Sequence, residues 1–382
     1  MKKLIPYGRQ SIGSKDISAI VKTTKSDYLT TGPKVIEFEK EIRKYTGSRY
    51  AAVCNSGTSA LHLAFLSIGI KAGDIVIMPS INFIASFNIC KMLKAKIYLS
   101  DVDGVTGKMG PKNILDCIKK NKIKRIKAIV TMHLGGRPDN VIELHKLKKK
   151  YRCFIIEDSC HALGSEYLYQ NKKLKIGCAK HADISTFSFH PIKSITTSEG
   201  GAVTTNNTKL FKKIYLLKSH GIIRSRLGHW SYNVKTPGYN FRLSDLSCSL
   251  GLSQLRRLDF FIRKRERVAK IYEDNFKKYS HYIKFQKITK SKNSWHLYVV
   301  NIKFNSFKQK NNFFKYLKKN NVLAQFHYIP IYNFTIAKNF KKMPGSELYF
   351  KTALSLPIFV DLKKTQQLKI VKLVLNFIKK TN

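Results

Sequence analysis

Phe187-Ser-Phe-His-Pro-Ile-Lys-Ser-Ile-Thr-Thr-Ser-Glu-Gly-Gly-Ala-Val203 sets one lysine, Lys193, on a turn between two apolar runs. The residues leading into it, Ile184-Ser-Thr-Phe-Ser-Phe189, alternate and branch as a buried strand does. Pro191 lacks the ladder donor and ends that strand, and Gly200-Gly201 permits a bend with a close backbone approach. An amine on such a turn, kept from water, loses its proton and attacks an aldehyde or ketone. A surface lysine in a lysine-rich chain fits this stretch alone equally well.

Working outward, strand and helix alternate. Ala51–Cys54, Ile75–Met78, Lys96–Leu99, Ile126–Thr131 and Cys153–Ile156 read as strands, with helices at 61–68, 83–94, 111–121 and 139–150 between them. This order predicts an α/β fold: three layers, α/β/α, around a mostly parallel sheet whose ligand sits at the carboxyl ends of the strands. Before the first strand, Ser14 caps a helix with Ile17, Ile20 and Val21 on its apolar side. Pro33 opens a second, with Val35, Ile36, Phe38 and Ile42 on its face and Gly47 closing it. After Val203 follow a helix at 207–218 and a long amphipathic segment from 244 to 276. Short strands at 298–302 and 322–326 then accompany helices at 307–319 and 363–379. The change of pattern predicts a large domain over 1–250 and a smaller C-terminal α+β domain over 251–382.

A net charge of +48 suggests a phosphate-rich partner. Yet only 14 of the 71 basic residues are arginine, the usual bidentate reader of phosphate and bases. The lysines spread over the whole length, so no specific nucleic-acid partner is expected. The seven cysteines form no C-x-x-C pair and read as small buried residues of a reduced compartment. Met1 to Arg9 lacks the apolar core of a signal peptide, and no window of the sequence is long and apolar enough to cross a membrane. A cytoplasmic protein without membrane contact is the expectation. Eleven scattered histidines argue against a metal site.

Four features share the strand ends with Lys193. Ser56-Gly-Thr-Ser-Ala60 opens a helix, where backbone donors and hydroxyls suit a phosphate; an ordinary Ser/Thr cap has the same form. Asp158, ending Ile155-Ile-Glu-Asp158, can be held ionised by a protonated ring nitrogen, or can cap the next turn. Ser188 offers a hydroxyl five residues before Lys193. Gly238-Tyr-Asn-Phe-Arg-Leu-Ser-Asp245 places Asn240 and Arg242 among apolar residues, with Ser244 as a cap. Lysine, acid and phosphate donors together are what pyridoxal 5'-phosphate requires.

These motifs resemble the DegT/DnrJ-type sugar-nucleotide aminotransferases, pyridoxal phosphate enzymes of fold type I. The resemblance rests on Leu29-Thr-Thr-Gly32, Asn55 to His62, Glu157-Asp158-Ser-Cys-His161-Ala-Leu-Gly164, Ser188 to Lys193, Glu199-Gly-Gly201, Ser219-His-Gly221 and Gly238 to Asp245. Ala324-Gln-Phe-His-Tyr-Ile-Pro330 and Ser355-Leu-Pro357 extend it over nearly the whole chain. Within the family, the branch serving pseudaminic acid biosynthesis is the most similar in motif. The loop Leu227 to Pro237 finds no counterpart. Family members that dehydrate or deoxygenate sugars carry His where Lys193 stands, so transamination is expected.

The resemblance implies a role for each position. Lys193 would bind the cofactor aldehyde and move protons, and Asp158 would face the ring nitrogen. Phe83 would stack on the ring and His161 would lie near its hydroxyl. Gly57, Thr58, Ser59 and Ser188 would surround the phosphate. Asn240 would reach the phosphate of a neighbouring subunit, which makes a homodimer with shared active sites the functional unit. Tyr7, Leu29, Thr30, Thr31, Gly32, Gln325, Phe326, His327 and Tyr328 would contact the substrate. Glutamate would give its amino group to a 4-keto-6-deoxy sugar nucleotide, on UDP or on another nucleotide handle.

Overall fold

The computed structural model describes residues 4–225, 228, 230–285 and 291–381. Met1 to Lys3 and Leu227, both used in the sequence reading, lie outside them. Five strands come first: β1 (Tyr50–Cys54), β2 (Ile75–Pro79), β3 (Lys96–Ser100), β4 (Ala128–Met132) and β5 (Phe154–Asp158). After a polar hairpin of β6 (Glu166–Tyr169) and β7 (Lys172–Lys175) come β8 (Ile184–Ser188) and β9 (Gly201–Thr205). Seven of these form one sheet in the order β1-β9-β8-β5-β4-β2-β3. Only β9 runs against its neighbours, so the sheet is mostly parallel as expected.

Helices cover both faces: α1 (Ser14–Thr24), α2 (Pro33–Thr46), α3 (Gly57–Ser67), α4 (Ala85–Met92), α5 (Pro111–Lys120), α6 (Val141–Tyr151), α7 (Thr208–Leu217) and α8 (Asp245–Arg256). Side chains of one strand divide between the two faces. Val76 and Met78 join the core under α3, α4 and α7, whereas Ile77 between them packs with α5 and α6. That double burial is why the strands read as continuous apolar runs. Local chemistry sets the helix ends. Ser56 Oγ accepts from Ser59 N at 3.0 Å and Ser244 Oγ from Ser247 N at 3.2 Å. Pro33 occupies the first turn of α2, and Gly47 ends it at φ +77°.

A second core forms where α9 (Leu258–Phe276), α10 (Phe307–Lys319), α11 (Pro344–Thr352) and α12 (Lys364–Thr381) accompany an antiparallel sheet. After the small hairpin of β10 (Ile222–Arg224) and β11 (Tyr232–Val234), that sheet orders β12 (Ile283–Phe285), β13 (Tyr298–Ile302) and β14 (Ala353–Leu356). Tyr272, Trp295, Tyr298 and Phe313 fill the core, joined from the N-terminus by Ile5. None of the described helices is long and apolar enough to cross a membrane.

Four expectations need correction. Ser14 does not cap α1 but is its first residue: Gly13 takes the cap position, and Asp16 Oδ2 accepts from Gly13 N at 2.9 Å. The segment 244–276 is two helices, because Arg257 sits at φ −100°, ψ −2° and its amide bonds to Gln254 O, one residue short of the helical partner. Val322 to Phe326 is not a strand. Its backbone divides between partners, with Leu323 N bonding to Ile5 O and Gln325 N to Ser355 O, so no continuous ladder forms. The helix faces at Ile17, Val21 and Ile36 point outward, at 57%, 47% and 66% exposure, because apolar spacing reports a face and not what covers it.

Candidate active site

A cavity of about 630 Å³ opens at the carboxyl ends of β5 and β8, between the two cores. Asp158 ends β5, 2% exposed, and accepts from Cys160 N at 3.2 Å. Burial pushes its carboxyl up, while Cys160, Lys193 and His133 pull it back. A carboxylate so placed calls for a cationic partner in the cavity. Lys193 stands on the turn after β8, its amide bonded to His190 O at 2.9 Å. Desolvation draws its amine below the usual lysine range, against the opposing pull of Cys160 and Asp158. The desolvation suits a nucleophilic amine.

The start of α3 forms another wall. Ser59 N and Ala60 N are spent on Ser56, whereas the amides of Gly57 and Thr58 open the first turn and have no intrahelical acceptor. A β-carbon at Gly57 would lie 2.7 Å from Ser188 Cβ and 3.3 Å from Cys160 Sγ. Glycine is what lets β8 and α3 meet there. Ser188 lines the same corner. Ser59, by contrast, donates to Asn55 Oδ1 at 2.6 Å and lies outside the lining.

The far wall comes from the second core. Tyr7, Gln325, Phe326, His327 and Tyr328 all line the cavity, and Phe83 faces Tyr328 with ring centroids 5.8 Å apart. His161 Nδ1 accepts from Gly135 N at 3.3 Å, and its Nε2 lies 3.0 Å from the Tyr328 hydroxyl. Burial, reinforced by Lys193 and His327, holds its imidazole well below the ordinary histidine range.

The chain therefore gathers Tyr7, Gly57, Thr58, Phe83, Asp158, His161, Ser188, Lys193 and Gln325 to Tyr328 around one space. It does not bring Leu29 to Gly32 or Asn240 there. Leu29 to Thr31 are exposed and Gly32 is buried, anchored by Asp245, whose carboxylate accepts from Gly32 N at 2.5 Å and Lys34 N at 2.7 Å. Asn240 is exposed, and its carbonyl accepts from Asn55 Nδ2 at 3.3 Å. Sequence reasoning passed over Asn82. It lies beside Phe83, is 1% exposed, and its Nδ2 has no partner among the described residues. The Asn-Phe pair at the start of α4 was its only signal.

A resident pyridoxal phosphate fits this donor set: a cradle kept open at Gly57, unspent amides at a helix start, an unpartnered Asn82 amide, a buried acid and a desolvated lysine. Comparison with known proteins agrees. The model of the DegT/DnrJ/EryC1/StrS aminotransferase family matches residues 10–375. The chain is 40% identical over 358 residues to the UDP-4-amino-4,6-dideoxy-N-acetyl-β-L-altrosamine transaminase of Campylobacter jejuni, covering 93% of this chain and 92% of that one. It superposes on Helicobacter pylori PseC, an aminotransferase involved in the biosynthesis of pseudoaminic acid, with TM-score 0.92 and 32% identity over 99% of this chain and 100% of that one. The pyridoxal phosphate form of the putative sugar aminotransferase Spr1654 from Streptococcus pneumoniae gives TM-score 0.90 at 26% identity, covering 99% and 100%. With the family model spanning nearly its whole length, the chain belongs to the DegT/DnrJ/EryC1/StrS aminotransferase family and is a pyridoxal phosphate-dependent sugar aminotransferase.

Proposed function

We propose that this enzyme moves an amino group from glutamate to the C4 ketone of a 4-keto-6-deoxy UDP-sugar of the pseudaminic acid type. The names of its Campylobacter and Helicobacter relatives support the acceptor, and the placement of Lys193 against Asp158 at one cavity carries the chemistry. Bound there, pyridoxal phosphate would act as the electron sink that makes the carbon–hydrogen bond beside nitrogen acidic. Gly57 and Thr58 amides with the Ser188 hydroxyl would hold its phosphate, Asp158 its ring nitrogen and Phe83 one ring face. Asn82 Nδ2 is the unspent donor at the same wall.

Lys193 is the acid and base of the scheme. Its Nζ removes the proton from the donor's α-carbon and returns one to the cofactor side, then runs the sequence backward for the sugar ketone. A neutral amine is needed for the first move, and desolvation favours it. Two half-reactions sharing one site give ping-pong kinetics.

A homodimer in the cytoplasm completes this reading. Leu29 to Gly32 and Asn240 lie outside their own chain's cavity, and the exposed apolar side chains of α1 and α2 supply a surface for a second copy. We further read residues 1–250 as the cofactor-binding domain and 251–382 as the smaller one. The deciding experiment incubates purified enzyme and Lys193→Ala with glutamate and a panel of UDP-, TDP- and GDP-linked keto sugars. Wild-type protein should show lysine-bound cofactor absorbance that glutamate discharges, and should aminate the UDP acceptor. Identical spectra for the two proteins would refute the assignment of Lys193, and preference for another handle would refute the sugar.

A further inference from the structure

Arg265 of α9 is 2% exposed, and no carboxylate pairs with it among the described residues. A buried guanidinium without an acid is costly, so its hydrogen bonds must repay its place in the core. All of those found go to backbone carbonyls. Nη1 donates to Trp295 O at 3.4 Å and Ile358 O at 3.2 Å, and Nη2 to Lys193 O at 3.4 Å.

Of their owners Lys193 lines the cavity itself, while Trp295 and Ile358 lie behind the lining, each bonded or adjoined to a different part of it. Lys193 is the site lysine itself. Trp295 precedes His296, whose ring packs on His161 with centroids 4.0 Å apart and whose amide bonds to Gly135 O. Ile358 donates its amide to Tyr7 O at 3.0 Å, and Tyr7 lines the cavity against His327, ring centroids 5.5 Å apart. The planar fork presents its donors in fixed directions, so three segments far apart in sequence are tied to one rigid group.

We propose that Arg265 is a positioning residue for transamination: it sets the Lys193 turn in register with the walls that carry His161 and Tyr7. The residue touches neither substrate nor cofactor. Its effect reaches the chemistry through the geometry of the amine, where a displacement of about 1 Å can cost on the order of 100-fold in rate. This rests on Lys193 being the lysine that binds the cofactor.

The test compares cofactor-loaded wild-type enzyme with Arg265→Gln, Arg265→Lys and, as a control in the same core, Tyr272→Phe. The control loses the hydroxyl bond to Pro357 O, 3.0 Å long, beside Ile358. The readouts are kcat and KM for glutamate, thermal stability, and the pH titration of the lysine-bound cofactor's absorbance. Arg265→Gln should lower kcat roughly 10- to 100-fold and displace the titration, with Arg265→Lys recovering part of both. Tyr272→Phe should lose stability alone. A folded Arg265 variant with wild-type kcat and titration overturns the proposal, whatever its melting temperature. If neither variant folds, nitrogen-resolved spectra of the wild-type guanidinium decide: separate, slowly exchanging Nη signals support the brace, and averaged signals overturn it. Wild-type protein lacking lysine-bound absorbance would sink the cofactor reading and this proposal together.

Discussion

His161 and Tyr328 meet through one hydrogen bond, Nε2 to the phenol oxygen at 3.0 Å, while the opposite ring nitrogen accepts the amide of Gly135. An acceptor at Nδ1 must be unprotonated, so the neutral ring carries its hydrogen on Nε2. That hydrogen goes to Tyr328, and the phenol's own hydrogen is left to point into the cavity. Tyr328 thus becomes a donor for an oxygen of the bound ligand. Tyr328→Phe should lower kcat/KM about 10-fold, the worth of one hydrogen bond, and leave the cofactor bound. Histidine-selective nitrogen spectra should show the Nε2–H form for His161; the Nδ1–H form would contradict the argument.

Gly57 tests the phosphate corner. The β-carbon of Gly57→Ala would enter the 2.7 Å approach to Ser188 Cβ and push α3 away from β8. Cofactor affinity should drop about 10-fold or more, and the overpacking should also lower the melting temperature of cofactor-free protein. Equilibrium dialysis with pyridoxal phosphate measures the first and thermal denaturation the second.

What could be read from residue types alone was whatever depends on neighbours in sequence. The caps at Ser56 and Ser244, the stop at Gly47 and the strand runs around β2 to β5 follow from local chemistry and from burial on both faces. Lys193, Asp158 and Ser188 were legible because chemistry-bearing groups recurred at strand ends. Arg265 was not. In an amphipathic helix an arginine reads as solvent-facing, and its burial depends on carbonyls supplied by Lys193, Trp295 and Ile358 from three distant segments. The hairpin Glu166 to Lys175 escaped for a related reason: four of its ten residues are lysine or glutamate on a polar surface, with no apolar alternation to follow.

Acid should weaken the fold through histidines kept neutral. Burial lowers His327 to about 3 and holds His161 and His296 well below the ordinary 6.5, with Lys193 adding to the effect on all three. Between about pH 3 and 6.5 the unfolded chain takes up a proton at position 327 that the native state refuses. Stability therefore rises with pH across that window and is lost as pH falls through it, by at most about 1.4 kcal/mol per pH unit for each such histidine. His296 has neither ring nitrogen partnered among the described residues. His296→Leu should flatten the decline of melting temperature between pH 7 and pH 5; an unchanged slope would remove His296 from the account.

The outward faces of α1 and α2 offer a test of assembly. Ile17, Val21 and Ile36 are about half exposed or more, and Leu29, in the loop that leads into α2 and is held by Asp245, is 45% exposed. An apolar surface of this extent is costly in water unless a partner covers it. The same loop, with Asn240, lies outside its own cavity, so a second copy would both cover the surface and complete the site. The double variant I17E/V21E should shift the protein from dimer to monomer in light scattering and reduce turnover at least about 10-fold, since one charge buried unpaired at an interface costs several kcal/mol. Its circular dichroism should match wild type, because neither side chain enters a core. A variant that remains dimeric and fully active would place the interface, or the shared site, elsewhere on the chain.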